Sequence, residues 1–323
     1  MGRRGARRCF RRPDGGYSEA TVHSVSWTVA QLIAAKQGRT VSVVLPALNE
    51  EATIGALVGE LRSLVGGLVD ELVVMDSGCT DRTAEVASQA GARVVHRTEV
   101  LPELDPWPGK GEVLWRSLAA TSGDLLVFID SDLVDVDLGF VPALLGPLLH
   151  QRRVGQGVQL VKGFYRRPLR IESQELGTGG GRVTELLARP LLNALRPELA
   201  GVVQPLGGEY AASRAFLESV PFAAGYGVEI GLLLDAHTHY GLEGLAQVNL
   251  GVRKHRNRSL LELGVMSRQI LGAALPRCGV AEASGSAGIT QFVQLGAHFM
   301  PTESGVLVDD RPPMRDVLAA RSA

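Results

Sequence analysis

Three apolar runs in the first half of the chain, Val41–Leu45, the core of Glu71–Asp76, and Leu125–Ile129, each end in polar residues and are separated by segments of helical period. Between the first two, Ile54, Leu57, Val58, Leu61 and Leu64 recur at the spacing of one helix face. A second helical pattern runs to about Ala90, a strand follows at Ala92–Arg97, and a helix at Gly111–Ala120 leads into the third run. Strands that alternate with helices and read as continuous apolar runs are buried on both faces, which implies an α/β fold with a mostly parallel, Rossmann-like sheet flanked by helices. In such sheets ligands sit beyond the carboxyl ends of the strands. Three polar tips fall at that edge: Asn49 with Glu50, Asp76 with Ser77, and Asp130 with Asp132.

After Gln151 the pattern is less regular. "VGQGVQLVKGFYRRP" reads as a strand, "GTGGGRVTELLARPLLNAL" as a glycine-rich loop entering a helix, "YGVEIGLLLDAHTHYG" as a helix, and "LAQVNLGVRKHRNR" as a strand with a basic tip. The expected organisation is a basic tail and helix over 1–40, a ligand-binding half over 41–155, an accessory half over 156–280, and a peripheral Gly/Ser/Pro-rich segment over 281–323.

Bulk properties narrow the function. With 33 basic and 34 acidic residues the chain has no global field to steer it onto nucleic acid, so anion binding must be local. The apolar stretch Leu260–Leu275 is interrupted by Glu262 and Arg268, and no run approaches the roughly 18 to 20 residues of a membrane span. Cys9, Cys79 and Cys278 are an odd set at wide spacing, which fits a reducing cytoplasm better than a disulfide framework. The opening "MGRRGARRCFRR" carries six arginines and no acid, and reads as a disordered basic tail before a helix at about Ser24–Lys36.

Asp-x-Asp at a strand end projects two carboxylates to one side of an extended chain, where they can converge on a hard divalent cation. Alone, such acids are more often a helix cap or a solvated turn. The loop "LGTGGGRVTEL" offers close backbone approach at Gly177 and Gly179–Gly181, and a helix N-terminus near Val183, with Arg182 and Thr184 beside it; that favours an anion over a plain surface loop. In "VRKHRNRS", His255 is a candidate cation ligand, Arg253, Arg256 and Arg258 can neutralise a diphosphate, and Asn257 can hydrogen-bond an acceptor, although charge runs are usually solvated. Glu229 follows Gly225-Tyr226-Gly227, a segment expected to be flexible, and is read as binding or orienting a ligand before acting as a base.

"VVLPALNEEATI", "VMDSGCTDRTAEVA" and "FIDSDL", in this order and spacing, resemble the nucleotide-sugar-binding half of the GT-A fold glycosyltransferases. "PGKGEVLWRSL", "GGGRVTEL", "YGVEIGLL" and "RKHRN" extend the likeness over roughly Val41–Arg258, toward the retaining branch that glucosylates 3-phosphoglycerate. The resemblance implies transfer of glucose from UDP-glucose to the 2-hydroxyl of that acceptor with Mg²⁺, Mn²⁺ or Co²⁺ as cofactor. It implies donor binding by Pro46, Ala47, Leu48, Glu50, Ser77, Lys110, Asp130, Ser131, Tyr226, Glu229, Arg253, Arg256 and Arg258. Acceptor binding falls to Gly181, Arg182, Val183, Thr184 and Asn257, the metal to Asp132 and His255, and the reaction centre to Glu229, Asp132 and Arg253. The same likeness implies a homodimer. Ser77 stands where many related transferases have a second Asp, and Cys79 replaces a small hydroxyl residue, which blurs base recognition. A polyprenyl-phosphate sugar transferase, a GDP-mannose or GDP-glucose variant, and an idle nucleotide-sugar binding protein remain the competing readings.

Overall fold

The computed structural model describes residues 27–134, 138–150, 157–166, 169–171, 174–176, 181–252, 259–282 and 288–322, with the backbone of 10–11, 17–18 and 21–22. Helix α1 (Val29–Lys36) starts from Thr28, whose side chain accepts the Gln31 N–H in a reciprocal capping box. The first half then runs β1 (Val41–Ala47), α2 (Glu51–Arg62), β2 (Glu71–Asp76), α3 (Thr83–Ala90), β3 (Arg93–His96), α4 (Lys110–Ala120), β4 (Leu125–Phe128) and α5 (Phe140–Leu149). The second half contributes β5 (Leu160–Arg166), helix α6 (Arg189–Leu195) entered through a wide turn at Thr184–Ala188, β6 (Tyr210–Ser213), α7 (Arg214–Ser219), α8 (Val228–Tyr240), β7 (Leu245–Val252) and α9 (Leu260–Arg277). A hairpin of β8 (Gly288–Leu295) and β9 (His298–Gly305) and the terminal helix α10 (Met314–Ser322) close the chain.

One sheet organises both halves. Its order is Thr21–Val22, β7, β5, β6, β4, β1, β2, β3. All neighbours are parallel except β6, which runs antiparallel to both β4 and β5. The mostly parallel expectation holds, and the 41–155 and 156–280 halves share this sheet. Strands β1, β2 and β4 are apolar because helices cover both faces: Val44, Val73, Leu126 and Phe128 face one cluster with α4, α8 and α9, while Val43, Val74 and Val127 face another with α2 and α5.

The C-terminal segment combines exposed and seated parts. The β8–β9 hairpin is mostly exposed, but Val306, Arg311 and Met314 are buried. Asp310–Arg311 pairs with a two-residue strand at Phe222–Ala223, and Trp115 donates its indole N–H to Pro312 O at 2.8 Å. The few large side chains that seat it were too sparse in the sequence to show a period. Among the described residues no helix is long and apolar enough to cross a membrane.

Candidate functional site

The carboxyl ends of β1, β2 and β4 form one edge, as the strand pattern required. There the chain turns sharply, with Asn49 in the left-handed region at φ 57°. Asn49 Oδ1 accepts the Thr80 N–H at 2.8 Å, Cys79 Sγ accepts the Asn49 N–H at 3.3 Å, and Thr83 Oγ1 accepts the Glu50 N–H at 2.8 Å. Asp76 takes the N–H groups of Gly78 and Cys79 at 2.8 and 2.7 Å. Partial burial works against that carboxylate's charge, but these donors outweigh it and hold Asp76 below the ordinary carboxylate range. The loops that carry Pro46, Ala47, Leu48 and Glu50 on one side and Ser77 on the other are thus sewn together; Leu48 is exposed at the edge. Cys79, expected to blur base recognition, acts here as a hydrogen-bonding stitch, its thiol pushed up to about 11 chiefly by burial.

The Asp130-Ser131-Asp132 loop is anchored from its middle residue. Ser131 is buried, its hydroxyl donates to Pro46 O at 2.8 Å, and its carbonyl accepts from Thr53 Oγ1 at 2.7 Å. The Ser131 hydroxyl is therefore engaged in fixing the loop. Asp132, next in the chain, is half-buried.

Asp130 faces Lys110, the first residue of α4. Lys110 Nζ lies 2.5 Å from Asp130 Oδ1 and 2.6 Å from Glu229 Oε1, so one ammonium bridges two carboxylates. Burial disfavours that ammonium, yet Asp130 and then Glu229 outweigh it and raise Lys110 well above its ordinary value. Glu229 sits on α8 and is buried at 5% exposure, unlike the solvated helix glutamate that is the common case. The segment before it is packed against α9. Gly225 and Gly227 are buried, and the Tyr226 N–H donates to Gln269 Oε1 on α9 at 2.8 Å. A Cβ at position 208 would lie 2.2 Å from an Asp130 carboxylate oxygen, so a larger residue there must displace that side chain.

Sequence reasoning missed the floor of this cluster. Register places Tyr210 on β6 beside Phe128 on one side and Lys162 on the other. Lys162, 3% exposed, donates to Gly207 O at 2.6 Å and lies 4.7 Å over the Tyr210 ring. Burial pushes Lys162 down to about 7; Glu229 opposes this, Lys110 adds to it, and Asp130 opposes it. Tyr210 is raised well above its ordinary value by burial and by the Glu229 charge, and its hydroxyl meets no hydrogen-bond partner among the described residues. The available signal was a lysine inside the apolar strand "LVKGF", since lysine is almost never fully buried without a partner.

At the glycine-rich loop, Gly181 has φ +84° and the helix begins at Arg182. The Glu185 N–H reaches back to Gly181 O at 3.0 Å, Arg182 is half-buried, and Val183 and Thr184 are buried. The expected helix start is present. Gly177–Gly180 and the basic cluster, with Arg253, His255, Arg256, Asn257 and Arg258, lie outside the described residues.

Among the described residues no group of three or more His, Cys, Asp or Glu is arranged to hold a metal. Asp132 offers one hard carboxylate oxygen, of the kind a divalent cation takes, on a loop anchored through Ser131.

An acidic loop lies at a topological edge, facing a lysine bridged between two carboxylates, and residues 42–177 match the family Glycosyl transferase family 2. The fold and this match define a GT-A glycosyltransferase. Glucosyl-3-phosphoglycerate synthase from Mycolicibacterium smegmatis is 61% identical over 302 residues, covering 93% of this chain and 98% of that protein. The chain belongs to the glucosyl-3-phosphoglycerate synthase family. Two crystal structures of the Mycobacterium tuberculosis enzyme, each 57% identical and covering 92% of this chain, superpose closely. One, in complex with Mn²⁺, UDP-glucose and phosphoglyceric acid, covers 98% of that chain at a TM-score of 0.82. The other, with Mg²⁺ and UDP, covers 99% at 0.83.

Proposed function

We propose that the chain transfers glucose from UDP-glucose to 3-phosphoglycerate, giving glucosyl-3-phosphoglycerate and UDP, with Mg²⁺ or Mn²⁺ as cofactor. The observation that carries this reading is the 61% identity to a glucosyl-3-phosphoglycerate synthase across 98% of its length, joined to an intact Asp130–Lys110–Glu229 cluster. 3-Phosphoglycerate has one free hydroxyl, at carbon 2, which fixes the position glucosylated.

Pro46, Ala47, Leu48, Glu50 and Ser77 line the pocket for the uridine on the two stitched loops. Lys110 reaches the uridine or its phosphates and balances Asp130 and Glu229. Asp132 is the protein's carboxylate ligand to the cation, with His255 as its second; when bound, the cation stabilises charge on the departing diphosphate. Arg253, Arg256 and Arg258 supply further positive charge to that leaving group. Glu229, with Tyr226 beside it, orients the sugar hydroxyls. The N–H groups at Gly181–Thr184, with Arg182, Thr184 and Asn257, take the acceptor's phosphate and carboxylate and set its hydroxyl beside the anomeric carbon.

The reading includes retention of configuration by front-side attack, the leaving phosphate accepting the hydroxyl proton. The free Cys79 and Cys278 support a cytoplasmic setting, and exposed Phe292, Leu295, Phe299 and Met300 on the β8–β9 hairpin support a homodimer.

The test mixes protein, UDP-glucose, 3-phosphoglycerate and Mg²⁺ with and without chelator, and follows UDP release and product mass. Chelator-sensitive UDP release with one hexose on phosphoglycerate is expected. UDP-glucose binding without transfer to this acceptor would overturn it, an inverted anomeric signal by NMR would overturn retention, and a monomer mass by light scattering would overturn the dimer.

A further inference from the structure

Asp310 and Arg311, in the segment after β9, tie the start of α4 to the strand that precedes α8. Asp310–Arg311 pairs antiparallel with Phe222–Ala223, in the register Phe222 with Arg311 and Ala223 with Asp310. The Ala224 N–H adds a bond to Asp309 O at 3.3 Å. This short ribbon leads through Gly225–Gly227 directly into α8 and Glu229. The Arg311 side chain reaches the other way. Its Nε donates to Glu112 Oε2 at 2.7 Å and its Nη2 to Glu112 Oε1 at 3.0 Å, a fork on a carboxylate two residues after Lys110. The same Nη2 donates to Asp105 O at 2.5 Å, and the guanidinium lies 3.8 Å from the Trp107 ring centroid. Arg311 therefore also holds the loop that delivers Lys110.

The segments it joins are themselves in contact. Gly111 and Glu112 donate their N–H groups to Gly225 O and Ala224 O at 3.3 and 3.0 Å. A Cβ at position 111 would stand 1.8 Å from Ala223 O, so this approach of α4 to the ribbon requires glycine. Asp310 completes the tie by pairing with Arg277 of α9 at 2.7 Å, and Arg277 pairs with Asp235 of α8 at 2.9 Å. Glu112 is fully buried and Arg311 nearly so, which gives the fork little freedom to move.

We propose that Arg311 is a positioning residue for sugar transfer: it locks the start of α4 to the entry of α8 and so fixes the separation of Lys110 and Glu229. The proposal rests on the reading of that pair as part of the donor site. Substrate-positioning groups tolerate little displacement, since a shift of about 1 Å can cost on the order of 100-fold in rate. The ordinary alternative is that Arg311 only stabilises the fold.

A double-mutant cycle on the full chain separates the two. Wild type, R311M, E229Q and the double variant are assayed for glucose transfer at a temperature where circular dichroism shows each one folded. R311M is expected to lower kcat by about tenfold or more, with R311K restoring part of it by keeping the charge and one bond to Glu112. Because Arg311 acts through the Lys110–Glu229 pair, R311M should cost less than about twofold in the E229Q background, where that pair is already broken, non-additivity being the mark of a shared element. A merely structural arginine lowers thermal stability alone; kcat within about twofold of wild type in folded R311M, or a full additive loss in the double variant, overturns the proposal. Should R311M fail to fold, R311K replaces it in the cycle: a lowered kcat that is non-additive with E229Q supports the proposal, and an unchanged kcat or an additive loss overturns it. A wild-type protein without transfer to 3-phosphoglycerate would instead sink the proposed function.

Discussion

Lys110 Nζ and Glu229 Oε1 lie 2.6 Å apart although 119 residues separate them in the chain. The pair joins the first half of the sheet to a helix of the second, and Asp130 shares the same ammonium. Removing one member of a buried ion pair leaves the other charge uncompensated, at a cost of about 3–5 kcal/mol. Lys110→Met should therefore lower the urea midpoint strongly and abolish UDP binding by calorimetry, because two carboxylates then face each other. Glu229→Gln leaves Lys110 paired with Asp130. It should keep most of the stability while lowering kcat by at least about tenfold, the loss of one oriented charge at a reaction centre. Wild-type kcat in Glu229→Gln would remove Glu229 from the site.

Asp132→Asn isolates the cation. Asp132 is half-buried on a loop anchored through Ser131, so the substitution leaves the Pro46 and Thr53 bonds in place. Stability should change little. Transfer should fall by about 100-fold or more, of the order seen when one charge-stabilising group is removed from a site. The apparent affinity for Mn²⁺ should fall with it. Titrating Mn²⁺ against UDP release checks both, and an unaltered titration would free Asp132 from its metal role.

The parts legible in sequence were those with a repeating signal. The apolar runs and helical spacing located β1, β2, β4 and their helices because burial on both faces leaves a continuous pattern. Asp130–Asp132, Lys110 and Glu229 fell at strand and helix ends, where a family resemblance could attach to them. Three things escaped for physical reasons. Tyr210 and Lys162 come together through β6, whose short "YAAS" run carries no period and whose antiparallel insertion no local signal announces. Gly225–Gly227 reads as flexible by composition, yet its glycines serve close packing against Gln269 and Ala273. Arg311 and Glu112 form a contact across 199 residues, which local composition cannot convey.

Lys162 makes a prediction with a defined sign. Its folded-state value, near 7, is depressed from the roughly 10.4 of an exposed lysine. Between those values the unfolded chain binds a proton that the folded chain does not, so stability falls as pH drops from about 10 toward 7 and levels off below. The slope approaches about 1.4 kcal/mol per pH unit in the middle of that window. Urea unfolding at pH 7, 8 and 9 should show wild type gaining stability with pH, and Lys162→Met losing most of that slope. Parallel curves for the two proteins would mean that Lys162 keeps its charge in the folded state.

Arg116 tests how the loop before Lys110 is built. Its side chain is fully buried; Nε donates to Glu112 Oε1 at 2.6 Å, and the guanidinium also donates to the carbonyls of Arg97, Val100, Leu101 and Leu104. One planar fork thus reaches a carboxylate and four backbone oxygens, of which Leu101 O also accepts the Leu104 N–H at 3.0 Å. A lysine has neither the reach nor the geometry for this set, so Arg116→Lys is not conservative here. Arg116→Lys should destabilise by at least about 2 kcal/mol, since buried acceptors left without donors each carry a desolvation cost of about 1–3 kcal/mol. The effect should be local as well as global: amide hydrogen exchange in residues 97–104 should accelerate well before the rest of the sheet does. Because Glu112 would keep its fork from Arg311, Arg116→Lys should disturb kcat less than R311M at equal loss of stability. Equal losses of kcat would mean that the loop, and not the fork from Arg311, sets the position of Lys110.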